Sequence, residues 1–138
     1  MPIHTGQLDL STEGDADVVD ITDAVQRVVS AAEVDEGLVS AFVRGSTAAI
    51  TTMEHEPGNI ADLRSVLDAL APPHSEWEHD RLNHDTNSHA HQRASIVGPS
   101  ESVPVKGGSL ALGTWQQIVL IDFDDRPRDR TVFVHVVS

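Results

Sequence analysis

Cysteine and tyrosine are absent from this 138-residue chain, lysine occurs once, at Lys106, and only three Phe and two Trp are present. Each scarcity excludes something. Without cysteine there can be no disulfide and no thiolate chemistry, so metal ligands can come only from His, Asp, Glu or neutral oxygens. With so few aromatics, a core drawn from the 39% of hydrophobic residues must be built of Val, Ile, Leu and Ala, which favours strands and their flanking helices. A single lysine and a formal charge of −13 argue against a nucleic-acid surface and against adsorption to anionic membranes, both of which need clustered cations. Such an acidic, lysine-poor surface fits a high-salt host, where abundant cations screen self-repulsion. No window approaches the ~20 apolar residues of a membrane-spanning helix. The segment Met1 to Leu10 mixes polar and apolar residues unlike a secretory signal, so a cytoplasmic location is expected. The length suits one domain over residues 1–138, large enough for a hydrophobic core.

Periodicity divides the chain into short strands and two principal helices. Thr5 to Ser11 alternates as a half-exposed strand, Gly14-Asp15 marks a turn, and Asp17 to Ile21 reads as a second strand. Thr22 offers an N-cap for a helix to about Ala32, with Val25, Val28, Val29 and Ala32 on its apolar stripe. Leu38 to Arg44 and Ser46 to Thr52, separated by Gly45, are expected to pair as strands. After Pro57-Gly58, Ile60, Leu63, Val66, Leu67 and Leu70 recur at helical spacing up to Pro72. Polar density from Pro73 to Asn87 suggests an ordered loop over a site. Ser88 to Val97, Ser102 to Val105, Trp115 to Phe123 and Thr131 to Val137 are read as four more strands, with a turn at Gly107-Gly108. The expected fold class is α+β, a largely antiparallel arrangement of seven to eight strands with two main helices.

The densest chemistry lies between His79 and Arg93, where four of the eight histidines share fifteen positions with two aspartates and two asparagines. If that stretch is a strand, Asn87, His89, His91 and Arg93 project from one face, where two imidazoles can share a metal ion or an anionic ligand. The plain alternative is a histidine-rich loop with no role. His79-Asp80 and His84-Asp85 are either supporting His-carboxylate contacts or solvated pairs. Glu54-His55-Glu56 follows a strand, and one of its carboxylates can complete a metal shell or act as a general base. The Gly45-Ser46-Thr47 turn has amides and hydroxyls that suit a phosphate, although an ordinary hydroxyl-bonded turn explains it equally well. Asp62 reads as helix-dipole charge in the first turn. Arg126, Arg128 and Arg130 are expected to pair mainly with their own aspartates, which leaves Arg93 as the better anion-binding candidate.

The succession GSTAAITTMEHEPG, HD, NSHAHQRASIVGPS, VPVKGGSLALGTWQQIVLIDFD and RPRDR resembles the YjbQ family of secondary thiamine-phosphate synthases, from about Gly37 to the C-terminus. The resemblance implies a compact α+β domain assembled as a homotrimer, with a polar pocket near the subunit interface. It implies a side activity joining a hydroxymethylpyrimidine diphosphate to a thiazole phosphate. Carried over position by position, the motif residues here are Ser46, Thr47, Glu54, Asp62, His79, Asn87, His89, His91, Gly98, Gly113, Thr114, Trp115 and Gln116. The chain departs from many members where they read HTTA and it reads Gly45-Ser46-Thr47-Ala48, so no role for that histidine carries over. On these grounds Glu54, Asp62, Asn87 and Arg93 are assigned as catalytic. Ser46, Thr47, Arg93, Trp115 and Gln116 are assigned to phosphate or substrate, and His79, His89 and His91 to a divalent metal ion (Zn, Mg or Mn). The expected ligand is a small phosphorylated metabolite. The alternatives are a metal-dependent hydrolase of a small phosphate ester and a non-catalytic trimer that binds a metal or metabolite.

Overall fold

The structure is a computed structural model that describes residues 2–138. In chain order its elements are β1 (Ile3–Thr12), β2 (Asp17–Asp20), α1 (Thr22–Ala32), β3 (Glu36–Val43), β4 (Ala48–Met53), α2 (Pro57–Leu70), α3 (Glu78–Asn83), α4 (Ser88–Val97), β5 (Ser100–Lys106), β6 (Ser109–Leu110), β7 (Gln117–Asp122) and β8 (Arg128–Val137). The strands form two antiparallel sheets, one of five in the order β1-β8-β3-β5-β6 and one of three in the order β2-β7-β4. The α+β expectation holds, with eight strands and four helices. Among the described residues no helix is long and apolar enough to cross a membrane.

Alternation along the strands dictates the layering. On β8, Val132, Val134 and Val136 are buried, and they meet Val39, Ala41 and Val43 of β3, Ile50 of β4, Ile118 and Leu120 of β7, and Val25 and Val29 of α1 in one core. The opposite face of the small sheet carries Ala49, Val119 and Ile121, which pack with Leu67 of α2, Ala90 and Ala94 of α4, and Phe123 in a second core. The order is therefore five-stranded sheet and α1, three-stranded sheet, then α2 and α4. A strand between two apolar layers must be apolar on both faces, and the continuous run from Ile118 to Ile121 is buried throughout. Helix α1 sits close on β1 because Gly6 has no side chain; a Cβ there would lie 2.6 Å from Val28 Cγ2.

Four expectations are corrected. The Leu38 and Ser46 segments do not pair: β3 lies between β5 and β8, and β4 lies on β7 in the other sheet. Thr22 does not cap its own helix. Its hydroxyl accepts the Ile118 N–H at 2.9 Å and so ties α1 to β7, while Asp20 accepts the Thr22 N–H. Asp62 is not in the first turn, because α2 starts at Pro57 behind Glu56, whose carboxylate accepts the Gly58 and Asn59 N–H groups, both at 2.8 Å. Those two bonds hold the Glu56 carboxyl below its usual range.

The largest correction is that Ser88 to Val97 is helix α4. The alternating His-x-His-x-Arg suggested a strand, but Ala90, Ala94 and Val97 recur at four and three residues and place a small apolar stripe on the second core. Small side chains let α4 lie against the small sheet, and Gly98 ends it with φ +98°.

Candidate functional site

The helical geometry of α4 redistributes the predicted site. Residues two apart on a helix diverge by about 200°, so His89 and His91 point to different surroundings, whereas His89 and Arg93, four apart, share a face. His89 and Arg93 are both buried. Arg93 Nε and Nη2 donate to the Ala71 carbonyl at 3.0 and 2.9 Å, and Nη2 also donates to Asp68 Oδ1 at 2.9 Å. Its guanidinium thus satisfies the open C-terminal end of α2, and this binding partner replaces the anion expected of it.

His91 instead meets His79 of α3, with ring centroids 4.6 Å apart. His79 Nδ1 lies 2.9 Å from Asp80 Oδ1, and the same oxygen accepts the Ser88 N–H at 3.0 Å. Asp80 therefore joins α3 to the first turn of α4, which is favourable at a helix N-terminus. His84 caps α3 in the left-handed conformation with an exposed side chain. The three imidazoles assigned to a metal do not gather at one point. Among the described residues no group of three or more His, Asp or Glu is placed to hold a metal ion, so no step is assigned to an ion held by this chain.

The structure assembles a cleft over His89 from the Pro73 to Asn87 segment expected to cover a site and from Asp15 and Asp125, which the sequence reading missed. Its volume is about 790 Å³, and Asp15, Glu76, Asp80, Asp85, Asp125 and His89 line it together with Pro73, His74, Ser75 and Thr86. Two buried polar atoms at the start of α4, Asn87 Oδ1 and His89 Nδ1, have no hydrogen-bond partner among the described residues. Burial pushes the His89 pKa down and Arg93 pushes it further, against an upward pull from Asp125, Asp80 and Asp15, so the ring is held below the usual imidazole range. Asp15 and Ala16 both have positive φ, at 53° and 62°, directly after Gly14 at 82°. The Asp15 N–H donates to the Asp124 carbonyl at 2.7 Å, which fixes this strained turn at the cleft edge. In the sequence Gly14-Asp15 reads as a simple turn and Asp124-Asp125 as part of the arginine–aspartate turn between two strands; only the fold brings them to the α3-α4 junction.

The remaining candidates fall elsewhere. Thr47 is buried, accepts from Arg130 Nη2 at 2.6 Å and donates to Asp124 Oδ2 at 3.0 Å. Arg130 forks onto Asp122 through Nε at 2.7 Å and Nη2 at 2.8 Å, and Arg128 Nε donates to Asp124 at 3.0 Å. Burial pulls the Asp124 pKa up, but hydrogen bonds from Thr47 and Asp125 and the charge of Arg128 outweigh it, and the carboxyl stays below its usual value. The expected pairing of these arginines with their own aspartates is what the structure has, and it occupies Thr47. Ser46 is exposed beside this network.

Glu54, Trp115 and Gln116 lie at the opposite end of the small sheet. Met53 pairs with Gln117 at the start of β7, whereas Ala48 and Asp17 pair with Asp122 at its end. Five steps of about 3.4 Å separate the two ends by roughly 17 Å. Gln116 accepts the Gly113 N–H and donates to Thr52 Oγ1, both at 3.0 Å, while Trp115 is 74% exposed. Glu54 and Asp62 are exposed on β4's exit and on α2. Within one chain, then, the candidate residues form two groups rather than one.

Comparison with known proteins agrees with this architecture. The family model described as UPF0047 protein YjbQ-like matches residues 6–138. A UPF0047 protein of Archaeoglobus fulgidus is 41% identical over 128 residues, covering 93% of this chain and 97% of that one. One of Methanothermobacter thermautotrophicus is 35% identical over 138 residues, covering 100% and 94%. The crystal structure of a YbjQ-like protein of unknown function from Sulfolobus solfataricus superposes with a TM-score of 0.92 at 33% identity, covering 98% of this chain and 96% of that one. An uncharacterised conserved protein of the same family from Clostridium acetobutylicum gives 0.87 at 34% identity, covering 96% and 99%. The likeness spans both sheets and all four helices, and the chain belongs to the YjbQ-like UPF0047 family.

Proposed function

We propose that this chain is a low-efficiency transferase of the thiamine-phosphate synthase type, joining hydroxymethylpyrimidine diphosphate to a thiazole phosphate with the pyrimidine seated in the cleft over His89. The observation that supports this reading is a cleft lined by five carboxylates and by His89, whose buried Nδ1 has no partner among the described residues. In the reaction the bond from the pyrimidine methylene to the diphosphate oxygen breaks, and the thiazole nitrogen supplies the electron pair for the new carbon–nitrogen bond. Pyrophosphate leaves with the electrons of the broken bond. The methylene carbon carries positive charge as this occurs, and fixed carboxylates aimed at developing charge lower its energy. No side chain needs to act as a covalent nucleophile.

No Lys or Arg lines the cleft, so the diphosphate is best accommodated at its mouth, as a complex with a divalent cation that enters with the substrate. Assembly as a homotrimer belongs to the same proposal. The outer face of the large sheet carries Ile3, Leu38 and Phe42 at 60, 45 and 43% exposure, in register with Val137 and Phe133. Covering this face with further copies removes apolar area from water.

The test is direct. Purified protein incubated with both precursors and MgCl2 is expected to form thiamine phosphate slowly, measured by chromatography after oxidation to thiochrome. His89→Ala is expected to lower the rate at least tenfold, the scale of a lost positioned polar group. Absence of product across Mg, Mn and Zn, with the protein folded, would rule the transferase out.

A further inference from the structure

The shape and charge of the cleft carry one more step, the chemical class of what it holds. A free phosphate is disfavoured, because every ionisable side chain lining the cleft is a carboxylate or an imidazole. The nearest guanidiniums are already engaged. Arg126 lies 3.5 Å from Asp125 and 3.6 Å from Asp85 at the rim, Arg64 donates to the backbone carbonyls of Asp15 and Ala16, and Arg93 is bound to Ala71 and Asp68. Five carboxylates against one rim arginine leave the cleft strongly negative. A bare divalent ion fits poorly as well, since an ion needs its ligands within about 2.0–2.6 Å of one point, and among the described residues no three candidate ligands gather in that way.

The acceptors are instead spread around a space of several hundred Å³. Asp80 uses Oδ1 for His79 and Ser88, and Asp85 uses Oδ1 for the Thr86 N–H. Their Oδ2 atoms take no hydrogen bond from the described residues. His89, 4% exposed, lines the cleft, and its Nδ1 has no partner among the described residues. A buried polar atom without a partner is destabilising, and a hydrogen-bond donor in the cleft relieves it. Burial holds the His89 ring below the usual imidazole range, and a neutral ring keeps one bare nitrogen that accepts a hydrogen bond.

We propose that the cleft is a seat for an organic cation with separated N–H donors, such as a protonated amine or amidine, and that it excludes free phosphate and pyrophosphate. This assigns the ligand class of the site used in the transferase reading and rests on that reading for the site's location, but not for any reaction. It can therefore stand or fall separately from turnover.

Isothermal titration at low ionic strength, where charge is least screened, tests it with benzamidine and spermidine as N–H cations. Tetramethylammonium serves as a cation without donors, and inorganic pyrophosphate and MgCl2 as the competing classes. The expected result is binding of at least one N–H cation with a Kd below about 1 mM, a free energy of roughly −4 kcal/mol or better, with no binding of tetramethylammonium or pyrophosphate. Asp15→Asn and Asp80→Asn are expected to weaken that binding at least tenfold each. Asp15 is exposed, and asparagine tolerates its left-handed backbone, so this variant reports on the cleft even if the replacement at Asp80 disturbs α4. Pyrophosphate or magnesium alone binding in the cleft, no N–H cation binding to folded protein, or affinity unchanged in Asp15→Asn would each overturn the assignment. Cation binding without any thiamine phosphate formed would uphold it while removing the transferase.

Discussion

His89 is where burial, charge and vacant hydrogen-bonding capacity meet at a single residue. Its pKa is depressed by burial and by Arg93, so in the folded chain the ring refuses a proton that the unfolded chain accepts below about 6.5. The sign follows from linkage: the unfolded state binds more protons in that window, so stability is full above the unfolded value and is lost as the pH falls through the folded one. Thermal melts in a pH series should show the midpoint declining from about pH 6.5 downward. His89→Asn should flatten that part of the curve, and an unchanged slope would contradict the assignment of the protonation to this ring.

Among the elements, β7 and β8 are joined by more than their turn. Arg130 on β8 reaches Asp122 at the end of β7 with both partners buried, at 8 and 0% side-chain exposure, and the Thr12 hydroxyl of β1 donates to the same carboxylate. The contact holds the five-stranded sheet against the three-stranded one at the end that carries the cleft. Removing one member of a buried ion pair strands the other, which typically costs about 3–5 kcal/mol. Arg130→Ala is expected to lower the unfolding free energy, measured by urea titration, by that amount and to weaken cleft function indirectly through Thr47 and Asp124. Arg126→Ala, whose guanidinium is half exposed, should change stability by less than about 1 kcal/mol; an equal loss in both variants would remove the distinction between them.

For the whole molecule, charge and surface set the behaviour. A net charge of −13 with one lysine makes self-repulsion a standing cost that salt reduces. The thermal midpoint is expected to rise between about 0.1 and 2 M KCl, where the Debye length falls from ~10 Å to below ~3 Å. A flat or falling midpoint would count against a high-salt setting. The proposed trimer predicts that Phe42→Asp, on the exposed face of the large sheet, yields folded monomer in sedimentation velocity while the parent chain sediments as three copies. A parent chain that runs as a monomer would dismiss the assembly.

Several features were legible in the residues themselves. The α+β class, α1 and α2, most of the strands, the arginine–aspartate turn and the family all follow from periodicity, turn residues and motif order, which are local properties of the chain. Local pattern also named His89 and Asn87. Only the tertiary structure decided that Ser88 to Val97 is a helix, because an alternating polar run and a helix with a small apolar stripe look alike until the second core claims Ala90 and Ala94. The fold alone also decided that Arg93 closes α2 and that Thr47 belongs to a buried ion network. It set Glu54 and Trp115 a strand's length away from His89. Most consequential for function, it brought Asp15, Asp80 and Asp125 together from three distant parts of the sequence. Sheet order and helix docking determine that encounter, and spacing along the chain carries no record of it.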